Sequence, residues 1–397
     1  MKQRSASLYF SRDLEKKLPK IAKSFKVLAL IGPRQSGKTT LVRAAFDQHA
    51  FVSLEDLDIR NYATADPRGF LAQYHYKTGV ILDEIQYVPE LLNYIKTIVD
   101  EEKKPGRFIL TGSQNFFINQ SLSQTLAGRV ALLTLLPLSI HELSANQLLP
   151  EKLDTLLING CYPSIYAENP PLDLWYASYI KTYLERDVRD LKNITDLGLF
   201  QKFIRLCAGR IGQLVNLSSL AADAGVSINT VKSWLTLLEA SFLIFQLKPH
   251  HKNFGKRLMQ SPKIYFYDTG FACSLLGITT AEHLALHYLR GGLFENFVIA
   301  ELYKKYVHQA QEPHLFFWRD KTGHEIDCLI EQGANLYPVE IKSGQTINTD
   351  FFNGLNFYNS LSKNNPQKGF IVYGGSEKQS RTAGNVVSWR MVHDLLP

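Results

Sequence analysis

Gly32-Pro33-Arg34-Gln35-Ser36-Gly37-Lys38-Thr39 reads G-x-x-x-x-G-K-T. An apolar run, Val27 to Ile31, precedes it, and a helix-favouring run, Thr40 to Phe46, follows. Strand, glycine loop and helix in that order form a phosphate-binding loop. Gly32 and Gly37 let the backbone turn tightly, so that successive N–H groups face one cavity and a helix N-terminus points into it. Residues 32–40, ending at Thr40, are therefore the expected nucleotide contacts. Lys38 is expected to reach the β- and γ-phosphates, and Thr39 to ligate Mg²⁺.

Working outward, Val80-Ile81-Leu82-Asp83-Glu84 is an apolar strand ending in two carboxylates, which resembles a Walker B motif. A buried parallel strand delivers its last residues to the sheet edge where the P-loop also lies. Asp83 is expected to hold Mg²⁺ and Glu84 to act as general base on water. Arg107 to Ser113 reads as another buried strand with a polar end. It resembles the sensor strand of AAA-type ATPases, with Thr111 or Ser113 near the γ-phosphate. Arg129, before a fifth strand, is a further candidate for that phosphate, in this subunit or a neighbour. Strands alternate with helices from about Phe25 to Leu136, which predicts a three-layer α/β core over residues 1–136.

The 397 residues exceed one core and predict two to three domains. The formal charge of +7 and a pI near 9.0 favour a polyanionic partner. Four scattered cysteines, with no C-x-x-C pair, suggest neither zinc nor a disulfide framework and fit a reducing cytoplasm. No signal segment or membrane span is apparent. Pro137 opens a mostly helical connector, 137–200, with Trp175–Leu184 its strongest helix and a charged run containing Arg186 after it. Leu217–Ser227 followed by Ile228–Leu235 reads as a helix-turn-helix, with Gly225 ending the first helix and Ser227 capping the second. Asn229, Thr230, Lys232 and Ser233 fall where base-reading residues sit. Lys248 to Arg257 would form a basic wing, giving a winged helix over 201–285.

The last third, 286–397, holds a set of carboxylates. Glu295 falls on the helical face of Val298, Ile299 and Leu302, where a carboxylate is costly unless it meets a cation. His324–Glu331 and Leu336–Lys342 read as a hairpin about Gln332-Gly333-Ala334-Asn335. A symmetric register sets Asp327 opposite Glu340 and Glu325 opposite Lys342, with Cβ atoms ~5 Å apart. Glu295, Asp327 and Glu340 would make an oxygen-rich Mg²⁺ site, with Asp327, Glu340 and Lys342 as catalytic groups. The pattern resembles the PD-(D/E)xK nuclease fold, Asp327 standing for its D and Glu340-Ile341-Lys342 for its ExK. Ile326 stands where the motif has proline.

Taken together, Gly32–Thr39, Leu82-Asp83-Glu84, Leu110–Ser113, Leu126–Arg129 and Phe294–Lys342 resemble prokaryotic AAA-like ATPases with a C-terminal restriction-endonuclease-like domain. The resemblance spans nearly the whole chain and implies ATP and Mg²⁺ binding, a DNA-related role and a homo-oligomer through the ATPase core. Two functions follow from it. One is a DNA-binding ATPase with metal-dependent cleavage. The other is a nucleotide-gated DNA- or protein-binding switch whose nuclease-like domain does not cut.

Overall fold

The computed structural model describes residues 9–75, 78–102, 104–113, 124–183, 196–250, 261–362 and 365–395. Two sheets organise the described residues. The first holds β1 (Val27–Ile31), β2 (Ala50–Ser53), β3 (Val80–Asp83), β4 (Phe108–Gly112) and β5 (Val130–Thr134). Its order is β2-β3-β4-β1-β5 and every neighbouring pair is parallel. The inner strands β3, β4 and β1 are buried on both faces and read as apolar runs. Alternate residues divide between the faces. Val27, Ala29 and Ile31 pack with Leu91, Leu92, Ile95 and Val99 of the helix Leu91–Glu101. Leu28 and Leu30 pack with Leu14, Leu18 and the P-loop helix residues Leu41 and Val42. Helices on both faces give the expected three-layer α/β core.

The second sheet has eight strands in the order β12-β13-β11-β10-β9-β8-β6-β7. β6 is Ile244–Pro249, β7 Lys263–Phe266, β8 Leu315–Arg319, β9 Glu325–Gln332 and β10 Asn335–Lys342. β11 (Phe370–Tyr373), β12 (Gln379–Arg381) and β13 (Gly384–Ser388) complete it. The β9–β10 hairpin has the expected register from Asn335–Gln332 to Val339–Cys328. The long helix Arg290–Val307 covers one face, and the helix Asn353–Ser362 covers the other through Leu355 and Tyr358.

The helices Leu217–Ala224 and Ile228–Ala240 meet at a turn made by Gly225, whose φ of 79° is left-handed. Ser227 caps the second helix, accepting from the N–H of Thr230 at 3.1 Å. Asn229 and Lys232 are exposed. The hairpin that follows lies before the expected division at residue 285 and pairs across it. β6 pairs antiparallel with β7 and also parallel with β8. The β6–β7 hairpin after the helix pair and the C-terminal strands therefore share one sheet. Residues 251–257 of the expected basic wing, and Arg186, lie outside the described residues. Among the described residues no helix is long and apolar enough to cross a membrane.

Candidate functional site

Gly32 leaves β1 with φ 154°, and a Cβ there would lie 2.1 Å from the carbonyl oxygen of Leu135. Only glycine passes that point. Gly37, at φ 92°, is the N-cap of the helix Lys38–Ala45, so the P-loop amides and the helix start share one concavity. Lys38 is buried, and its Nζ donates to the carbonyls of Gly32 at 3.0 Å and Pro33 at 2.8 Å. Ser36 Oγ is buried without a hydrogen-bond partner among the described residues. A buried hydroxyl left unmatched in a ring of donors suits a phosphate oxygen.

The end of β3 completes this site. Asp83 Oδ1 accepts from Thr39 Oγ1 at 2.8 Å and from Thr111 Oγ1. Thr39 and Asp83, the two residues expected to hold Mg²⁺, are thus in direct contact. Burial raises the Asp83 pKa, while the two threonine hydroxyls work against that rise. Glu84 occupies the left-handed region at φ 57°, a strained conformation for a side-chain-bearing residue. Its Oε2 accepts from Ser113 N at 3.2 Å and Ser113 Oγ at 2.9 Å, and also from Gln86. Burial alone would raise Glu84, but Lys38 and the Gln86 and Ser113 hydrogen bonds hold it below its ordinary value. It is therefore ionised at neutral pH. Thr111 and Ser113 both serve this pair, one on each carboxylate.

One expected nucleotide contact lies away from the loop. Arg129 precedes β5, and in a parallel sheet that position lies at the edge opposite the P-loop. It pairs with Asp100 and donates to the Ala127 carbonyl at 2.9 Å, so it does not meet a phosphate held in this subunit. Arg12, which no motif marks, does reach the loop. Its guanidinium donates to the carbonyls of Ser36 and Leu136, each at 2.7 Å, and lies 3.0 Å from the Glu142 carboxylate.

In the C-terminal sheet, Asp327, Glu340 and Lys342 come together. Lys342 Nζ lies 2.6 Å from Glu340 and 3.9 Å from Asp327. The register between β8 and β9 shifts at this point, from Phe316–Leu329 to Trp318–Ile326, placing an extra residue on β9 beside Asp327. Such a bulge re-aims a side chain. Asp327 Oδ2 consequently accepts the backbone N–H of Ile341 at 2.7 Å. Glu340 packs so closely on the helix Asn353–Ser362 that a Cβ on Gly354 would lie 2.2 Å from its Oε1. Burial, then the Asp327 charge, pushes the Glu340 pKa up to about 8. A Glu340 that resists ionisation beside the Asp327 carboxylate fits a divalent cation, which would relieve the repulsion that a proton otherwise relieves.

Glu295 and Glu325 are placed differently. Glu295, Asp327 and Glu340 do not bring one oxygen each within 4.8 Å of one another, so the three-carboxylate metal site is not formed. The partly buried Glu295 does meet a cation, Lys263 at 3.0 Å, and also accepts from Tyr265. Burial raises Glu295 to about 7 against the opposing pull of Lys263. Glu325 pairs with the same lysine and with Arg319 at 2.9 Å, not with Lys342. Lys263 is the residue that reading the sequence missed. A lysine within the short apolar strand Lys263–Phe266 was the available signal, because such a group is buried only when paired.

Fold and site define an AAA-type P-loop ATPase, and the family described as AAA domain matches residues 24–144. Two domains of unknown function follow, DUF8612 over residues 150–282 and DUF4143 over 290–392. The chain belongs to the family of AAA-domain proteins that includes an uncharacterized protein of Mycobacterium tuberculosis. The two are 31% identical over 347 residues, 86% of this chain and 76% of that protein. An uncharacterized protein of Haemophilus influenzae is 22% identical over 310 residues, 70% of this chain and 74% of its own length. Among solved structures, the Walker-type ATPase of Pyrococcus abyssi aligns with a TM-score of 0.46 at 15% identity, covering 69% of this chain and 98% of that one. The RuvB Holliday junction branch migration motor of Thermotoga maritima aligns at 0.28 and 20% identity, covering 60% and 90%.

Proposed function

We propose that the protein hydrolyses Mg·ATP at the P-loop and couples turnover to DNA bound by the helix pair 217–240 and the C-terminal sheet. The contact of Thr39 with Asp83, beside a Glu84 held ionised by Ser113 and Gln86, carries the first half. Lys38 neutralises the β- and γ-phosphates, and Glu84 takes a proton from the attacking water. Thr39 and Asp83 would hold Mg²⁺, which would supply charge neutralisation for the transferring phosphoryl group.

At the C-terminal cluster Asp327 and Glu340 would hold a divalent ion, which would supply an activated water for a DNA phosphodiester. Lys342 stabilises the charge that develops on the phosphate. Exposed Asn229 and Lys232 offer contacts to DNA. One observation favours the non-cutting switch instead. Lys263 neutralises Glu295 and Glu325 beside the cluster, leaving fewer free carboxylates for metal.

The assay combines ATP hydrolysis with DNA cleavage on linear, circular and single-stranded substrates, with Mg²⁺ or Mn²⁺, with and without ATP. Lys38→Ala is expected to abolish ATP binding and turnover, and Lys342→Ala to abolish cutting with ATP turnover intact. ATP affinity retained in Lys38→Ala would remove the ATPase assignment. ATP-dependent DNA affinity without cleavage on any substrate would establish the switch.

A further inference from the structure

Asp13, His141 and His393 come from three distant parts of the chain: the N-terminal segment, the helix Ile140–Ala145 and the closing turn Trp389–Asp394. One ligand atom of each lies within 4.8 Å of the other two. His141 Nδ1 is 2.8 Å from Asp13 Oδ1 and 3.0 Å from Oδ2. His393 Nε2 is 3.8 Å from Asp13 Oδ2. The two imidazoles stack, with centroids 4.6 Å apart and planes at 15°. A second feature points to a ligand. His393 Nε2 is buried and makes no hydrogen bond among the described residues, although a buried ring nitrogen ordinarily has a partner.

The geometry points to a divalent transition-metal site of the zinc class, ligated by Asp13, His141 and His393. Two imidazoles and one carboxylate form a borderline donor set that suits Zn²⁺, Co²⁺ or Ni²⁺ over Mg²⁺ or Ca²⁺. Bonds of about 2.0–2.1 Å to a tetrahedral ion place ligand atoms roughly 3.3 Å apart, so the observed separations are within reach once one imidazole rotates out of the stack to turn its in-plane lone pair to the ion. His141 is half-exposed and Asp13 partly so, which opens a path for the ion and leaves a fourth position for water. A neighbouring trio, Asp13, Glu142 and His308, also meets the distance criterion. It is a poor ligand set, because Glu142 already receives Arg12, the N–H of Asp13 at 2.9 Å and that of Ser139 at 2.9 Å.

The position gives the ion a consequence. Asp13 follows Arg12, the residue that grips the P-loop through the Ser36 carbonyl. An ion here would fasten that segment to the end of the chain, joining the nucleotide loop to the C-terminal region.

The test uses the untagged full-length protein, stripped with a chelator and dialysed. Co²⁺ is titrated by visible absorption and Zn²⁺ by calorimetry, both without nucleotide. One equivalent with tetrahedral Co²⁺ bands is expected. His141→Ala and His393→Ala should each weaken binding more than the about 10–100-fold typical of an outer-shell change. Glu340→Ala and Asp83→Asn should leave this equivalent unchanged. His141, being half-exposed, can be replaced without unfolding, and melting curves check His393→Ala. Absence of stoichiometric binding, or affinity unchanged in both histidine variants, would overturn the site.

Discussion

Replacing Arg12 by alanine tests whether the P-loop is braced from outside its motif. Arg12 and Glu142 have side chains only 4% and 1% exposed. Removing one partner of a buried pair leaves the other uncompensated, at a cost of about 3–5 kcal/mol. The carbonyls of Ser36 and Leu136 lose a charged donor as well, so the upper part of that range is expected. Spread over some 400 residues unfolding together, at about 2.1 cal/mol/K each, this lowers Tm by about 4–6 °C.

The pH dependence has a definite sign. Burial would raise Glu142, but Arg12 and His308 hold it well below its ordinary 4.5. In the wild type this depressed carboxylate contributes stability that is complete above that value and lost as pH falls below it. In Arg12→Ala, burial dominates and the pKa rises, so the variant gains stability on protonation. The gap between the two proteins therefore narrows as pH falls toward 4.5 and below. Urea unfolding at neutral and acid pH measures both slopes, and Arg12→Ala/Glu142→Gln should recover part of the loss. A loss under about 1 kcal/mol at neutral pH, or a double variant no better than the single one, would refute the brace.

Two further outcomes follow from local geometry. Gly32→Ala places a Cβ 2.1 Å from the Leu135 carbonyl; because that obstacle is backbone, a cost of about 1–3 kcal/mol and loss of ATP affinity are expected by calorimetry and thermal unfolding. Lys263→Met leaves Glu295 and Glu325 without their shared cation. About 3–5 kcal/mol should be lost, and Glu295→Gln in that background should restore part of it in urea titrations.

The P-loop, the Walker B strand and the Gly225–Ser227 turn were legible in sequence because each is local. The residues that act together lie within a few positions or on neighbouring parallel strands. The hairpin register was legible for the same reason, as far as Val339–Cys328. The ladder stops short of Asp327, where β9 carries a bulge against β8 that a two-strand argument does not include. Glu295 shows a reading that was right in kind. A carboxylate on an apolar stripe needs a cation, yet the cation is Lys263 from a strand more than 30 residues earlier in the chain, where no local spacing relates them. Arg129 was recoverable from strand polarity alone, since a residue before a parallel strand lies opposite the loops that follow such strands.

The helix Arg290–Val307 joins the two candidate sites more directly than either motif does. Its first turns carry Glu295, which reaches Lys263 in the C-terminal sheet. Its last turns hold the segment after β5. Glu301 accepts the N–H of Ile140 at 2.7 Å, and Lys304 donates to the Leu138 carbonyl at 3.0 Å. His308, at its C-cap, accepts the N–H of Leu136 at 3.2 Å. Leu136 in turn offers its carbonyl to Arg12, whose other nitrogen holds Ser36 in the P-loop. The Glu301–Lys304 pair is almost fully buried, so its polar groups are expensive to leave unmatched. A shift of the P-loop on nucleotide binding would have to carry this segment and the helix with it, or break these bonds. That mechanical continuity, and not proximity of the two sites, is what the proposed coupling between them would act through.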